Sequence, residues 1–294
     1  MQLFLQYFIS GIALGSLYAL VAIGYSLVYG VLELINMTHG TIYMIGAFMF
    51  YIANVMWGAN ILISLLFAVL VSGILGFSIE RLALRPLRKA KMSKTSALIC
   101  TIGVSTLLQN AMLFLMGSQS RSYPSLFAGK YIAVGGVYIT YLQIVIVAVA
   151  SFLLIVLNLF IKKSKWGMAM RATSASYDAA ELMGISTDFI IGFTFFIGAA
   201  LAAVSGILGC MTFMSVNISS GVSVGTKTFA ATVLGGIGEF KGAVLGGIFI
   251  GVVESLVAGY IGSEVRDIAA FAALIIVLVI RPSGLFGKPV QKKV

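Results

Sequence analysis

Apolar residues along this chain come in long blocks, not in an alternating pattern. Nearly unbroken apolar runs cover about 5–29, 41–57, 61–79, 96–116, 139–161, 189–213 and 268–280 with its flank, and a Gly-rich apolar region extends from 226 to 260. An α-helix rises about 1.5 Å per residue, so about 20 apolar residues cross a bilayer. Each run is therefore an expected membrane span. The 226–260 region reads in two ways: as one long tilted helix, or as a short half-helix ending near Gly238, a turn at Glu239-Phe240-Lys241 and a second helix from Gly242 to about Tyr260.

The polar residues between the runs set the orientation. Most of the 19 Lys and Arg fall within 81–94, 162–171 and 281–294. Short basic loops between spans stay on the cytoplasmic side. Counting back from Glu80 puts the N-terminus outside. A single span between 226 and 260 would leave the Lys-rich C-terminus outside as well, whereas two passages bring it inside. The expected fold is an all-α polytopic membrane protein, a bundle of 8–9 transmembrane helices with one short or re-entrant Gly-rich segment. It forms a single domain over 1–294 carrying a cytoplasmic loop at 162–188. The first run continues to about Val31 with no basic segment before it, so it reads as a span and not as a cleavable leader.

Composition agrees. Hydrophobic residues make up 60% of the chain and charged residues 10%, with a mean hydropathy of +1.09, whereas soluble domains carry about 25% charged residues. A net charge of +10 raises the question of nucleic acid, but clustering in short loops assigns that charge to membrane orientation. No nucleic-acid partner is expected. Cys100 and Cys210 lie inside apolar runs, as small packing residues.

Within the 162–188 loop the sequence changes character. Lys162, Lys163, Lys165 and Arg171 open it, and Asp178-Ala179-Ala180-Glu181-Leu182-Met183-Gly184 follows. The second part reads as a short amphipathic helix. Ser176 suits the N-cap, Asp178 and Glu181 lie where the helix dipole favours carboxylates, and Gly184 is a left-handed stop.

Gly11 with Gly15, Gly242 with Gly246, and Gly247 with Gly251 stand at G-x-x-x-G spacing, which lets membrane helices approach closely. Trp57 and Trp166 fall at span ends, where indoles prefer the interface. Asn36-Met37-Thr38-His39-Gly40 and Asn217-Ile218-Ser219-Ser220-Gly221 each follow a Gly-containing apolar run. They suggest a weak internal repeat of the kind that places broken helices on a substrate path. Both fit a glycosylation sequon, a reading with no other support in the chain.

No catalytic constellation is visible. His39 is the only histidine, no metal site is expected, and Gly221 to Thr228 lacks the Lys placement of a P-loop. The chain is not expected to be an enzyme or to bind a cofactor. Polar groups in or beside spans are costly and become candidates for function: Glu33, Asn36, His39, Gln109, Asn110, Asn217, Lys227, Thr228, Glu239, Lys241 and Glu254. Each taken alone is as readily a packing contact. Those that coincide with a helix break form the candidate translocation path, namely Asn36, Thr38, His39, Gly40, Asn217, Gly221, Lys227 and Thr228.

Gly24-Tyr25-Ser26-Leu27-Val28-Tyr29-Gly30-Val31 leading to Ile35-Asn36-Met37-Thr38-His39-Gly40, then Glu80-Arg81-Leu82-Ala83-Leu84-Arg85-Pro86-Leu87-Arg88, Leu182-Met183-Gly184-Ile185, Val233-Leu234-Gly235-Gly236-Ile237-Gly238 and Arg281-Pro282-Ser283-Gly284-Leu285-Phe286-Gly287 together resemble the H-type permease subunit of branched-chain amino acid ABC importers. The resemblance spans nearly the whole chain. It implies a bacterial inner-membrane importer in which this permease pairs with a second, homologous permease and with two cytoplasmic ATPases that bind ATP and magnesium. A periplasmic substrate-binding protein would deliver the solute. It also implies that Arg171, Asp178, Ala179, Ala180, Glu181, Met183 and Gly184 form an ATPase-coupling site. Asp178-Ala179-Ala180 and Gly184 are similar to the E-A-A-x-x-x-G coupling signature, with Asp in place of the usual Glu and no Ile-x-Leu-Pro continuation. The coupling helix would then tilt the spans on either side of it. The implied cargo is branched-chain or other hydrophobic amino acids. Alternatives are a related permease for urea, amides or other amino acids, an ion-coupled transporter using Glu33 or Glu254, and a lipid-processing enzyme, for which a single His leaves little chemistry.

Overall fold

A computed structural model describes residues 1–124 and 130–287. Lys288, Lys292 and Lys293, part of the third basic cluster, lie outside the described residues. The chain is helical throughout its apolar runs, because a bilayer leaves unpaired backbone groups no water to bond.

The helices are α1 (Gln2–Leu32), α2 (Thr38–Tyr51), α3 (Ile61–Ile79), α4 (Arg85–Lys89), α5 (Lys94–Met116), α6 (Tyr141–Lys163), α7 (Lys165–Ala175), α8 (Tyr177–Leu182), α9 (Thr187–Phe213), α10 (Ser219–Gly235), α11 (Phe240–Tyr260) and α12 (Arg266–Ile280). A π-turn at Ile52–Met56 extends α2, and another at Glu80–Leu84 joins α3 to α4. Seven of these segments are long and apolar enough to cross a membrane. The apolar α10 and α12 are shorter, at 17 and 15 residues. The 226–260 region is two helices: α10 ends at Gly235, Gly236 and Gly238 take positive φ in the turn, and α11 runs to Tyr260. The chain is thus a multi-pass membrane protein, with seven span-length apolar helices and two shorter apolar ones among the described residues.

Contacts between ends fix the two faces. Gln6 donates to the Tyr138 carbonyl and Gln2 to that of Gly135, so the start of α1 shares a face with the 117–140 connection. That connection holds the hairpin β2 (Tyr131–Val134) with β3 (Val137–Thr140). Its short strand β1 (Arg121–Ser122) pairs with β4 (Ser215–Val216) after α9. Here Tyr123 is buried and donates to Asn54 Oδ1 at 2.8 Å; burial pushes its phenol up to about 12, so it remains a neutral donor. On the opposite face Lys94 pairs with Glu33 at 2.6 Å and Ser174 bonds the Gly30 carbonyl. Both described basic clusters lie there, which makes it the cytoplasmic face.

The helices form two related sets running in opposite directions. Across the two sets α1 packs on α11 and α3 packs on α9, and α1 and α9 cross antiparallel at the centre. Gly24 meets Gly198 at this crossing, and Ser205 Oγ donates to the Leu17 carbonyl at 2.8 Å. Residue by residue, Leu17 and Gly24 match Gly198 and Ser205 at one constant offset. The Gly pairs named from the sequence mark these crossings. Gly11 and Gly15 abut Val252, Ile248 and Gly251, while Gly242 and Gly246 abut Gly235 and Ala231, with no room for a Cβ. Close approach of this kind strengthens dispersion contact where lipid supplies no hydrophobic drive. α1, α2 and α9 are largely enclosed, whereas α5 and α6 expose most of their apolar surface.

Candidate functional site

Both long central helices end abruptly on a left-handed residue that is not Gly. Glu33 has φ 51° and Met214 φ 48°, conformations that cost about 1–2 kcal/mol for an L-residue. From each break the chain turns back into the protein before the next helix starts. Asn36 Oδ1 accepts from the Thr38 amide at 3.1 Å and from the Thr38 hydroxyl. Asn217 Oδ1 accepts from the Ser219 hydroxyl at 3.0 Å and the Ser220 amide at 2.7 Å. Thus Glu33, Asn36, Thr38 and Gly40 recur as Met214, Asn217, Ser219 and Gly221, at the same offset that relates α1 to α9. The internal repeat expected from the Asn motifs is present in the structure as an inverted pair.

Helices α2 and α10 meet. Gly40 faces Gly221 and Gly225, whose backbones fill the space a Cβ would need. Around the first break, Asn36, Thr38 and His39 are all buried. The Met37 amide donates to Thr101 Oγ1 at 3.2 Å, Thr41 and Ser105 hydroxyls lie 2.7 Å apart, and Gln109 donates to both. His39 lies against Gly24 and Gly198 with the Tyr25 ring centroid 4.6 Å away. Asn36 Nδ2, His39 Nε2 and Ser26 Oγ are buried without a hydrogen-bond partner among the described residues.

The second break carries charge. Lys227, 3% exposed, bonds Glu254 Oε1 at 2.8 Å and lies 2.6 Å from Asp267; Tyr18 donates to Glu254 Oε2 at 2.8 Å. Arg266 Nε stands 3.5 Å from both acids. Thr228, also buried, bonds back to the Val224 carbonyl. The eight path candidates therefore gather around the two breaks, but in two clusters: Asn36, Thr38, His39 and Gly40 on one side of the Gly crossing, and Asn217, Gly221, Lys227 and Thr228 on the other. Sequence reading named Glu254 and Lys227 separately. Their pairing brings α10 and α11 together across the turn and was not legible from spacing, and Asp267, Arg266 and Tyr18 were not singled out.

The cytoplasmic loop is built as two helices. Ser164 caps α7 by accepting from the Gly167 amide at 2.9 Å, and Trp166 rests on Phe189 and Phe193 of α9. Ser176 caps α8 by accepting from the Ala179 amide at 3.3 Å, and Gly184 ends it at φ 80°. Ala180 is buried, whereas Asp178, Ala179 and Glu181 are exposed, and Leu182 and Met183 are 88% and 82% exposed. Arg171 lies on α7, its guanidinium donating to the Lys162 carbonyl at 3.4 Å. The base of α8 is held by charge that the sequence did not point to. Asp188 pairs with Arg85 and, at 2.8 Å, with Arg88, which also binds buried Glu80 at 2.8 Å. The Tyr177 hydroxyl reaches Asp188 at 3.4 Å, with Arg88 over its ring.

Comparisons with known proteins agree along the chain. Residues 7–279 match the family model described as branched-chain amino acid transport system / permease component. The high-affinity branched-chain amino acid transport system permease protein LivH of Salmonella typhimurium is 42% identical over 303 residues, covering 99% of this chain and 98% of the relative. BraD of Pseudomonas aeruginosa, of the same description, is 40% identical with the same coverage. A probable branched-chain amino acid transport permease protein of Methanocaldococcus jannaschii is 28% identical, covering 92% of this chain and 89% of the relative. No solved structure matches the chain.

Proposed function

The chain belongs to the family of branched-chain amino acid transport system permease components, and from that premise we propose that it is the membrane path of an ATP-driven importer of branched-chain amino acids. Its partners in this reading are a second homologous permease, two cytoplasmic ABC ATPases that hold ATP and magnesium, and a substrate-binding protein on the outer face.

The observation that carries the ATP-driven part of the proposal is α8. A six-residue helix that ends on a left-handed Gly and presents Leu182 and Met183 almost fully to the cytoplasmic side has an apolar tip with no cover among the described residues. Exposed apolar groups of this kind favour a protein partner. A four-residue link joins α8 to α9, and the ion pairs of Asp188, at the start of α9, tie that junction to α4. A push on α8 would therefore reach both the central α9 and its packing partner α3 as rigid elements. Of the two helices that meet at Gly40 and Gly221, α2 packs on α9 and α10 packs on α2 and α1, so their spacing would change as α9 tilts.

The ion-coupled alternative has less support. Glu33, one of its two proton carriers, is 70% exposed and paired with Lys94, outside the apolar interior where such a carrier would work. The test is leucine uptake into vesicles containing the assembled transporter. Uptake should require ATP hydrolysis and persist when a protonophore collapses the proton gradient; loss of uptake with the gradient, ATP being present, would overturn the proposal.

A further inference from the structure

We infer that the cavity enclosed by α1, α2, α9 and α10 beside the second break is a binding station for a free amino acid in its zwitterionic form. The inference deepens the reading of the chain as an amino acid permease and rests on it.

The cavity measures about 260 Å³, below the range of drug-sized pockets, roughly 300–1,000 Å³, and suited to a single small solute. Ala47, Val216 and Val224 give it apolar walls. Lys227, Glu254 and Arg266 line one end, with Asp267 bonded to Lys227 directly behind. Two cations and two anions make this end neutral overall while keeping both signs within reach. A neutral, strongly dipolar end fits a zwitterion better than a solute with net charge of either sign.

The geometry also gives an orientation. Ser219, Ser223 and Lys227 succeed one another at four-residue intervals on α10, so they share one face, and all three line the cavity. Lys227 has three donors and spends one in its hydrogen bond to Glu254, with the Asp267 carboxylate an ion-pair contact at 2.6 Å. A solute carboxylate would take a remaining donor together with the Ser223 hydroxyl one turn away, leaving the ammonium for the Glu254 and Asp267 oxygens and the aliphatic side chain for the apolar walls.

The repeat treats this position differently in its two halves. At the offset that relates the halves, Lys227 corresponds to Gly46, which packs directly on the Ala203 backbone with no space beside it. One half thus closes the position with Gly, and the other places a buried charge beside a cavity. A second, larger cavity of about 740 Å³ shares Phe213, Glu254 and Arg266 with the first and extends past Tyr7 and Thr140 at the outer end of α1. It supplies an approach from the outer face to the charged end.

The test is protection of an introduced thiol. Ser215 lines the cavity mouth and has no part in the charged end, so Ser215→Cys is made with Cys100 and Cys210 changed to Ala, in the assembled transporter. Labelling by a charged thiosulfonate should slow at least threefold with leucine, and not with isovalerate or isoamylamine, which each carry one of leucine's charges. The Lys227→Met, Glu254→Gln pair, which stays neutral, should abolish the protection, and the smaller Ser223→Ala change should shift it to higher leucine. Equal protection by isoamylamine, or leucine protection undiminished in both variants, would overturn the site. Leucine uptake without any protection would overturn the station and leave the permease reading standing; absence of leucine uptake from an assembled, ATP-hydrolysing transporter would overturn both.

Discussion

Gly40 of α2 and Gly221 of α10 meet backbone to backbone, each in the same position of its own half of the repeat. A Cβ on either would press into the carbonyl oxygen of the other. The contact sets how closely the two helices cross, and with it the spacing at the centre of the protein.

Gly40→Val and Gly221→Val should each cost about 1–3 kcal/mol or more by overpacking. Gly103→Ala, in open space, should be neutral or slightly stabilising. Thermal unfolding of the purified protein in detergent measures all three. Equal melting temperatures for the Gly40, Gly221 and Gly103 variants would contradict the crossing.

Much of this arrangement could be read from the sequence, and the limits have physical causes. The Asn36 and Asn217 motifs, the Ser176 cap, the Gly184 stop and the three Gly pairs are local or periodic signals, and each appears where expected. The residues that terminate α1 and α9 gave no such signal, because Glu33 and Met214 adopt the left-handed region without being Gly or Asn. α7 was hidden among basic residues that read as loop. Pairings across the fold, such as Asp188 with Arg85 and Arg88 or Lys227 with Asp267, join residues distant in sequence, and a single sequence does not record which charges meet.

Lys227 and Glu254 form a buried pair, so removing one partner is worse than removing both. Lys227→Met should destabilise by roughly 3–5 kcal/mol, and the Lys227→Met, Glu254→Gln double change by clearly less. The same unfolding measurement provides the double-mutant comparison. Additive losses would show that the two side chains do not depend on each other.

Arg88 bridges Asp188 and Glu80, and Glu80 is 2% exposed. Arg88→Ala should leave that carboxylate buried and unpaired, at a cost of about 3–5 kcal/mol. It should also free the base of α8, seen as faster amide exchange over 177–188. Unchanged exchange there would mean that α8 is held by packing alone.

At Gly184 a Cβ would meet nothing, so the only obstacle is its φ of 80°. Gly184→Asn should retain ATPase association, because Asn tolerates the left-handed region, whereas Gly184→Val should lose it while still inserting in the membrane. Co-purification with the ATPases reads this directly. Retention of the complex by Gly184→Val would show that the end of α8 is not needed for docking.

The central claim is that α8 is the point at which ATPase movement enters the membrane domain. It is tested most directly by introducing Leu182→Cys or Met183→Cys and crosslinking to co-expressed ATPase subunits, in membranes with and without ATP. The account predicts a crosslink from this tip whose yield changes with nucleotide. No crosslink to any ATPase from well-inserted protein would contradict it.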